Sequence, residues 1–337
     1  MTEPLLALGL VFAGAVVTAA LIFLLKPLLV HLFLARPNAR SSHQVATPQG
    51  AGIAVMFGLL LVCGAVLLLC ASVRDAAPSL VLVLAAAAAL ALLGALDDAR
   101  ALPAAWRFIG QTVAAIVVVV SLPENLRLLP DLLPLLVERG LLVLGTVACI
   151  NAVNFLDGID WMTVAEITPI ALGIALLEAL GAVPAPIGLL SLALLGAMLG
   201  FAVFNKHPAQ VFLGDAGSLP IGLCLAFLLI FVGQADLAAA ALLPLYIIAD
   251  AGLTLCRRLI NKEPIFSAHR SHFYQRATSQ GFSVPQVTAR VFLLGLWLAG
   301  LAIGAVLAHS LPVDLLLLAV GAVATGLTLR MFGNGPK

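Results

Sequence analysis

Runs of apolar residues follow one another along this chain with only short polar breaks between them. Residues 4–25, 51–72, 78–96, 106–122, 134–153, 166–182, 185–204, 218–233, 236–256, 290–308 and 311–330 each read as a membrane-crossing helix; roughly 20 consecutive apolar residues are enough to span the hydrocarbon. None of the runs shows the polar–apolar alternation of a membrane barrel. The pattern therefore predicts an all-α, polytopic transmembrane bundle of about eleven spans, forming one integral-membrane domain over 1–337.

Composition agrees with the pattern. The 337 residues are 63% hydrophobic and 10% charged, with a mean hydropathy of +1.16. That is too little charge to cover a soluble domain of this length. Residues 5–25 are expected to stay as a first helix, because Glu3 and no Lys or Arg precede them, unlike the basic start of a signal peptide. Cys63, Cys70, Cys149, Cys224 and Cys256 lie in or beside apolar runs without a CxxC pair, and read as small packing residues.

Charge adds an orientation. With eleven spans, the segments 26–50, 97–105, 154–165, 205–217 and 257–289 and the C-terminus share one side. Arg36, Arg40, Arg100, Arg107, Lys206, Arg257, Arg258, Lys262, Arg270, Arg276, Arg290, Arg330 and Lys337 fall there, against Arg74, Arg127 and Arg139 opposite. The positive-inside rule predicts an outward N-terminus and a cytoplasmic C-terminus. Asp97, Asp98, Asp157, Asp160, Asp215, His43, His207, His269 and His272 then gather on the cytoplasmic side. A transporter usually carries such groups near the midplane; here only Asp250 is placed for that role.

Five polar stretches on that side suggest chemistry. "GALDDARALPAAWR" (94–107) closes a span with paired carboxylates, suited to metal binding or base catalysis, or else simply paired with Arg100 and Arg107. "NAVNFLDGIDWM" (151–162) places Asn151, Asn154, Asp157 and Asp160 at every third position. Helix capping accounts for one or two of these, and a polar ligand or a cation for the set. "FNKHPAQVFLGDAGSLP" (204–220) brings Asp215, free backbone N–H groups and Lys206 together before an apolar helix, as a phosphate–Mg²⁺ complex would require. The plain alternative is that Asp215 N-caps that helix. "RPNARSSHQVATPQGAG" (36–52) offers Arg40, Ser41, Ser42 and His43 as phosphate contacts. "EPIFSAHRSHFYQRA" (263–277) is a cationic, aromatic patch that a lipid headgroup could also use. Asp250 reads equally as a buried partner for a basic residue or as a catalytic group.

"RSSHQVATPQGAG", "GALDD", "NAVNFLDGID", "FNKHPAQVFLGDAGSL" and "HRSHFYQR", in this order, resemble the polyprenyl-phosphate N-acetylhexosamine-1-phosphate transferase superfamily. The resemblance implies transfer of a sugar 1-phosphate from a UDP-N-acetyl-sugar to undecaprenyl phosphate, with Mg²⁺ or Mn²⁺, at the cytoplasmic face of a bacterial inner membrane. It implies membrane lipids and no nucleic acid as partners, and leaves a homodimer open. By the same resemblance, Asp97 and Asp98 activate the lipid phosphate and Asp215 holds the metal. Asn154, Asp157 and Asp160 bind nucleotide and metal, with Asn205 beside the nucleotide, and His269, Arg270 and His272 contact diphosphate or sugar. Lys206, Arg40, Ser42 and His43 complete the expected substrate site. Two departures stand out. Trp161 and Met162 replace the Gly and small or aliphatic residue common in the family, and "HRSHFY" lacks the three-histidine run of the peptidoglycan branch. The second favours surface-glycan initiation, such as O-antigen or capsule, over peptidoglycan synthesis.

Overall fold

Proline punctuates the helices. Pro103, Pro134 and Pro184 stand immediately before helices, and Pro186, Pro285 and Pro312 stand in first turns, where a missing N–H costs nothing. A computed structural model describes residues 4–35, 46–71, 73, 78–264 and 269–335. Its helices are α1 (Pro4–Leu32), α2 (Gly52–Leu69), α3 (Pro78–Ala99), α4 (Ala104–Val120), α5 (Leu135–Leu156), α6 (Met162–Ala179) and α7 (Ala185–Asn205). There follow α8 (Asp215–Ala235), α9 (Leu237–Leu242), α10 (Leu245–Ile260), α11 (Phe273–Ser279), α12 (Val284–Ala308) and α13 (Leu311–Asn334). Among the described residues nine helices are long and apolar enough to cross a bilayer. This is an all-α, multi-pass membrane protein, as the apolar runs predict. Among the described residues the five cysteines are free.

Two expected spans differ from a simple crossing helix. The run 106–122 forms α4, which is only 17 residues long. The run 236–256 is divided between α9 and α10, because Pro244 supplies no N–H at the join. In α10 polarity is inverted relative to a helix of a water-soluble protein, as suits a lipid surrounding. Tyr246, Asp250, Thr254 and Arg258 repeat every four residues on the buried face, while Ile248, Leu255, Leu259 and Ile260 are exposed.

At the centre lies α8, with 89% of its most apolar stretch buried against 17% for α1. It packs on α3 and α5, while α7 packs on α1 and α6, and α6 on α12. The strands are a two-residue antiparallel ribbon, β1 (Leu34–Ala35) with β2 (Thr47–Pro48). From β2 the chain continues along 212–213: Phe212 N–H donates to Pro48 O, Ala51 N–H to Phe212 O and Gly52 N–H to Leu213 O, at 2.8, 3.0 and 2.9 Å. Backbone pairing thus joins the first polar loop to the start of α8. At the other end of the bundle, Glu138 accepts from Arg127 Nε at 2.9 Å and from Leu128 N–H at 2.7 Å. Arg139 Nη2 there donates to the Pro123 carbonyl at 2.6 Å.

Candidate active site

Three segments build the start of α8. A Cβ at Gly94 of α3 would lie 2.2 Å from Asp215 O, and one at Gly52 of α2 would lie 2.1 Å from Gly217 N. Only glycine permits contacts this close. Asp98, near the end of α3, takes the Asp215 N–H on Oδ1 (3.0 Å) and the Ala216 N–H on Oδ2 (3.1 Å). Gly214 at the N-cap has no side chain to offer, so a carboxylate from another helix meets the orphan donors and the positive helix end. Gln49 Nε2 reinforces Asp98 Oδ1 at 3.2 Å. The alternative in which Asp215 caps its own helix is overturned: Asp215 is the first helical residue, and its side chain bonds Asn154 and Arg107 instead.

Neighbouring helical residues point about 100° apart, and the paired aspartates accordingly divide. Asp97 Oδ1 takes the Leu102 N–H at 2.6 Å, fixing the turn into α4, and Oδ2 meets Arg107 Nη1 at 3.2 Å. The same nitrogen lies 3.4 Å from Asp215 Oδ2. The expected ion pair of Arg107 is present, then, but it is shared, whereas Arg100 is exposed.

Along α5, steps of three residues turn the helix back by about 60° each. Asn151 therefore bonds Gln111 of α4 at 2.7 Å, while Asn154 Nδ2 reaches Asp215 Oδ1 and Ser218 Oγ, both at 2.8 Å. Asp157, just past the end of α5, accepts from Thr163 Oγ1 at 2.5 Å. Burial pushes its carboxyl up to about 7; the Thr163 bond opposes that rise and the Asp215 charge adds to it.

The turn after Asp157 is tied to the end of α7. Trp161 sits at φ +64°, the left-handed region where glycine is at ease. Its N–H donates to Asn205 Oδ1, and its indole Nε1 donates to the Ala202 carbonyl, both at 2.7 Å. That carbonyl belongs to the last turn of α7, where helical partners run out. Asn205 Nδ2 also holds Val211 O at 2.9 Å. Asp160 Oδ2 takes the Ala209 N–H at 3.0 Å and His207 Nδ1 at 2.7 Å, while Lys206 is exposed. Asn205 and Asp160 thus shape the loop before Asp215.

A second inter-helix cap fixes the last loop. Asp250, fully buried in α10, accepts from Phe273 N–H (3.0 Å), Tyr274 N–H (3.2 Å), Tyr246 OH (3.1 Å) and Thr254 Oγ1 (3.3 Å). It also meets His272 Nδ1 at 3.1 Å. Tyr274 OH donates to Phe155 O at 3.1 Å, beside Gly158, where a Cβ would collide with the phenol. Here His272 is buried and anchored, His269 is half-buried and stacks on it at 5.0 Å between ring centroids, and Arg270 is exposed. Arg40, Ser41, Ser42 and His43 lie outside the described residues.

No three His, Cys, Asp or Glu side chains among the described residues are grouped to cage a metal ion. Yet Mg²⁺ commonly takes only one or two carboxylates and fills its shell with water and substrate phosphate. Asp97 and Asp215, hard oxygen donors already sharing one cationic nitrogen, fit that requirement.

The sequence model of glycosyl transferase family 4 matches residues 80–233, from α3 through α8. A decaprenyl-phosphate N-acetylglucosaminephosphotransferase of Mycobacterium tuberculosis is 30% identical over 315 residues, covering 81% of this chain and 74% of the relative. The chain belongs to glycosyl transferase family 4. A probable undecaprenyl-phosphate N-acetylglucosaminyl 1-phosphate transferase of Bacillus subtilis is 29% identical over 273 residues, covering 77% of this chain and 74% of that one. A phospho-N-acetylmuramoyl-pentapeptide-transferase of Oceanobacillus iheyensis is 33% identical over 173 residues, about half of each chain at 48% and 50%.

In this family 4 transferase, the described parts of all five polar stretches meet at one end of the bundle. Asp97, Asn154 and Asp215 converge, and Asp157 lies near Asp215 through charge. Asp98, Asp160, Asn205 and His272 are engaged in holding backbone or neighbouring side chains. Sequence reasoning missed Gln49, Thr163 and Ser218, which carry no signal beyond polarity. Arg107 was expected as a partner of the paired aspartates, and what the sequence did not show is that it also reaches Asp215.

Proposed function

We propose that this protein transfers N-acetylglucosamine 1-phosphate, or a 6-deoxy relative, from its UDP-sugar to undecaprenyl phosphate, as the first step of a surface glycan. The observation that carries this reading is the shared cation between Asp97 and Asp215 where the polar loops meet. The names of the mycobacterial and Bacillus relatives supply the reaction class. An oxygen of the lipid phosphate attacks the phosphorus bearing the sugar. The bond from that phosphorus to the bridging oxygen breaks, and UMP leaves with the electron pair. A phosphate monoester has its second pKa near 6, so the attacking group is already largely ionised and needs little help from a base. The obstacle is bringing two anions together.

Asp97 and Asp215 would hold Mg²⁺, with Asn154 and Asp157 beside them. When bound, it would supply charge neutralisation for the diphosphate. Asp98 acts through Asp215, by fixing the start of α8. The exposed Lys206 and half-buried His269 would meet phosphate or sugar. The bias of Lys and Arg toward this end supports a cytoplasmic site in a bacterial inner membrane. Against a transporter, Asp250 is fully engaged beneath the last loop. Against peptidoglycan synthesis, "HRSHFY" lacks the histidine run.

Membranes carrying the protein, given labelled UDP-N-acetylglucosamine, a 6-deoxy analogue or UDP-MurNAc-pentapeptide with undecaprenyl phosphate, test the reading. UMP release and a lipid-linked sugar are expected with one of the first two. Product from the pentapeptide alone moves the enzyme to the peptidoglycan branch, and no product with any donor overturns the proposal.

A further inference from the structure

Arg107 reaches the site from the first turns of α4 and places one nitrogen, Nη1, within 3.2 Å of Asp97 and 3.4 Å of Asp215. Among the described residues no other cation lies within ion-pair distance of either carboxylate. Asp98 adds a third carboxylate close by, bonded among the described residues only to neutral N–H donors of the α8 backbone and Gln49. The guanidinium therefore offsets the repulsion of acids brought together from two helices. Its seating is incomplete, however. Nε of Arg107 is buried and has no hydrogen-bond partner among the described residues, an unfavourable state for a charged donor. The side chain is also 36% exposed, so a route out of the cluster is open.

We infer that Arg107 is a resident counter-ion: it occupies the divalent-cation seat between Asp97 and Asp215 in the empty enzyme and must leave when a divalent ion enters. This rests on the metal reading above and adds to it a competition built into the chain. The seat is kept from springing apart while empty, and metal binding in the absence of substrates is weakened by the cost of moving Arg107 away. Only one nitrogen of the group is engaged by the two carboxylates. A guanidinium paired through a two-nitrogen fork would be harder to displace.

The test is Mn²⁺ binding, followed by the electron paramagnetic resonance of the free ion. It uses the purified full-length protein in detergent with neither donor nor lipid acceptor. Arg107→Gln and Arg107→Ala are compared with the wild type, each first shown to elute as a single folded species; if one fails, the other carries the comparison. Both neutral variants should bind Mn²⁺ about tenfold tighter or more, since a competing charge is gone from the seat. Methylguanidinium in solution should then weaken Mn²⁺ binding to Arg107→Ala, by refilling the vacated position, and leave the wild type unaffected. Unchanged or weaker Mn²⁺ binding in the neutral variants, or no response of Arg107→Ala to methylguanidinium, overturns the inference and leaves the metal reading standing. Absence of Mn²⁺ binding in the wild type and both variants overturns the two together.

Discussion

Each end of the bundle holds carboxylates away from water, and the two ends treat them differently. At the end with the loop 121–134, Glu138 has one oxygen bonded by Arg127 and the other by the Leu128 N–H. One acid meets one base, within a short stretch of chain. At the other end, Asp97 and Asp215, from two helices, share the guanidinium of Arg107, and Asp98 lies beside them on the backbone N–H groups that start α8. A balanced pair tightens a turn. An unbalanced cluster is held together against its own repulsion, an arrangement found more often at functional sites than at structural turns.

The largest effect should come from Asp215→Asn. Loss of the anionic oxygen is expected to lower kcat by about a hundredfold or more. The melting temperature in detergent should hardly move, because Asp98 and not Asp215 caps α8. Substantial turnover in a correctly inserted variant would remove Asp215 from the chemistry. Asp98→Ala should strike both properties. Two N–H groups at the start of α8 lose their acceptor, for about 2 kcal/mol of stability, and activity falls because Asp215 is no longer positioned. A variant with wild-type melting but lost activity would show that Asp98 meets a reactant directly.

Glu138→Gln sharpens the contrast from the opposite side. It is expected to cost about 1–3 kcal/mol of stability with kcat unchanged, as judged by UMP release at a temperature where the variant is folded. A fall in kcat there would break the distinction between the two ends. The smallest effect belongs to Trp161→Gly. Glycine relieves a left-handed backbone worth about 1 kcal/mol, while the indole bond to Ala202 is lost. Melting should therefore change little, and the ratio of kcat/KM for UDP-N-acetylglucosamine and a 6-deoxy analogue should shift only modestly. An equal effect on both donors would assign Trp161 wholly to the join between α6 and α7.

Much of this was legible in the sequence because lipid is a strict solvent. Backbone groups in hydrocarbon must bond internally, so apolar runs become helices with few alternatives. The exception is the run 236–256, where Pro244 lies inside an apolar stretch and periodicity alone cannot show that the helix restarts there. The polar stretches were also legible as one site, since alternating spans return them to one end. Side-chain partners were not. Asp98 and Asp250 each cap a helix distant in sequence, and only three-dimensional proximity reveals which helix start lies in reach. Asn205 has the composition of a ligand contact, yet its amide is engaged by Trp161 and Val211. For Trp161 the replacement of glycine was visible, but the left-handed turn that explains it depends on the docking of α6 against α7.

The close contacts at Gly52, Gly94 and Gly217 have a further consequence for altering this enzyme. Peptide planes in contact, rather than side-chain rotamers, set the spacing of α2, α3 and α8, so the separation of Asp98 from the start of α8 does not vary with rotamer populations. A directed-evolution library aimed at a new donor sugar should hold these three glycines constant. It should diversify the loop after α7 at Lys206 and Gln210, which are exposed and hydrogen-bond none of the carboxylates described above, and keep His207, which bonds Asp160.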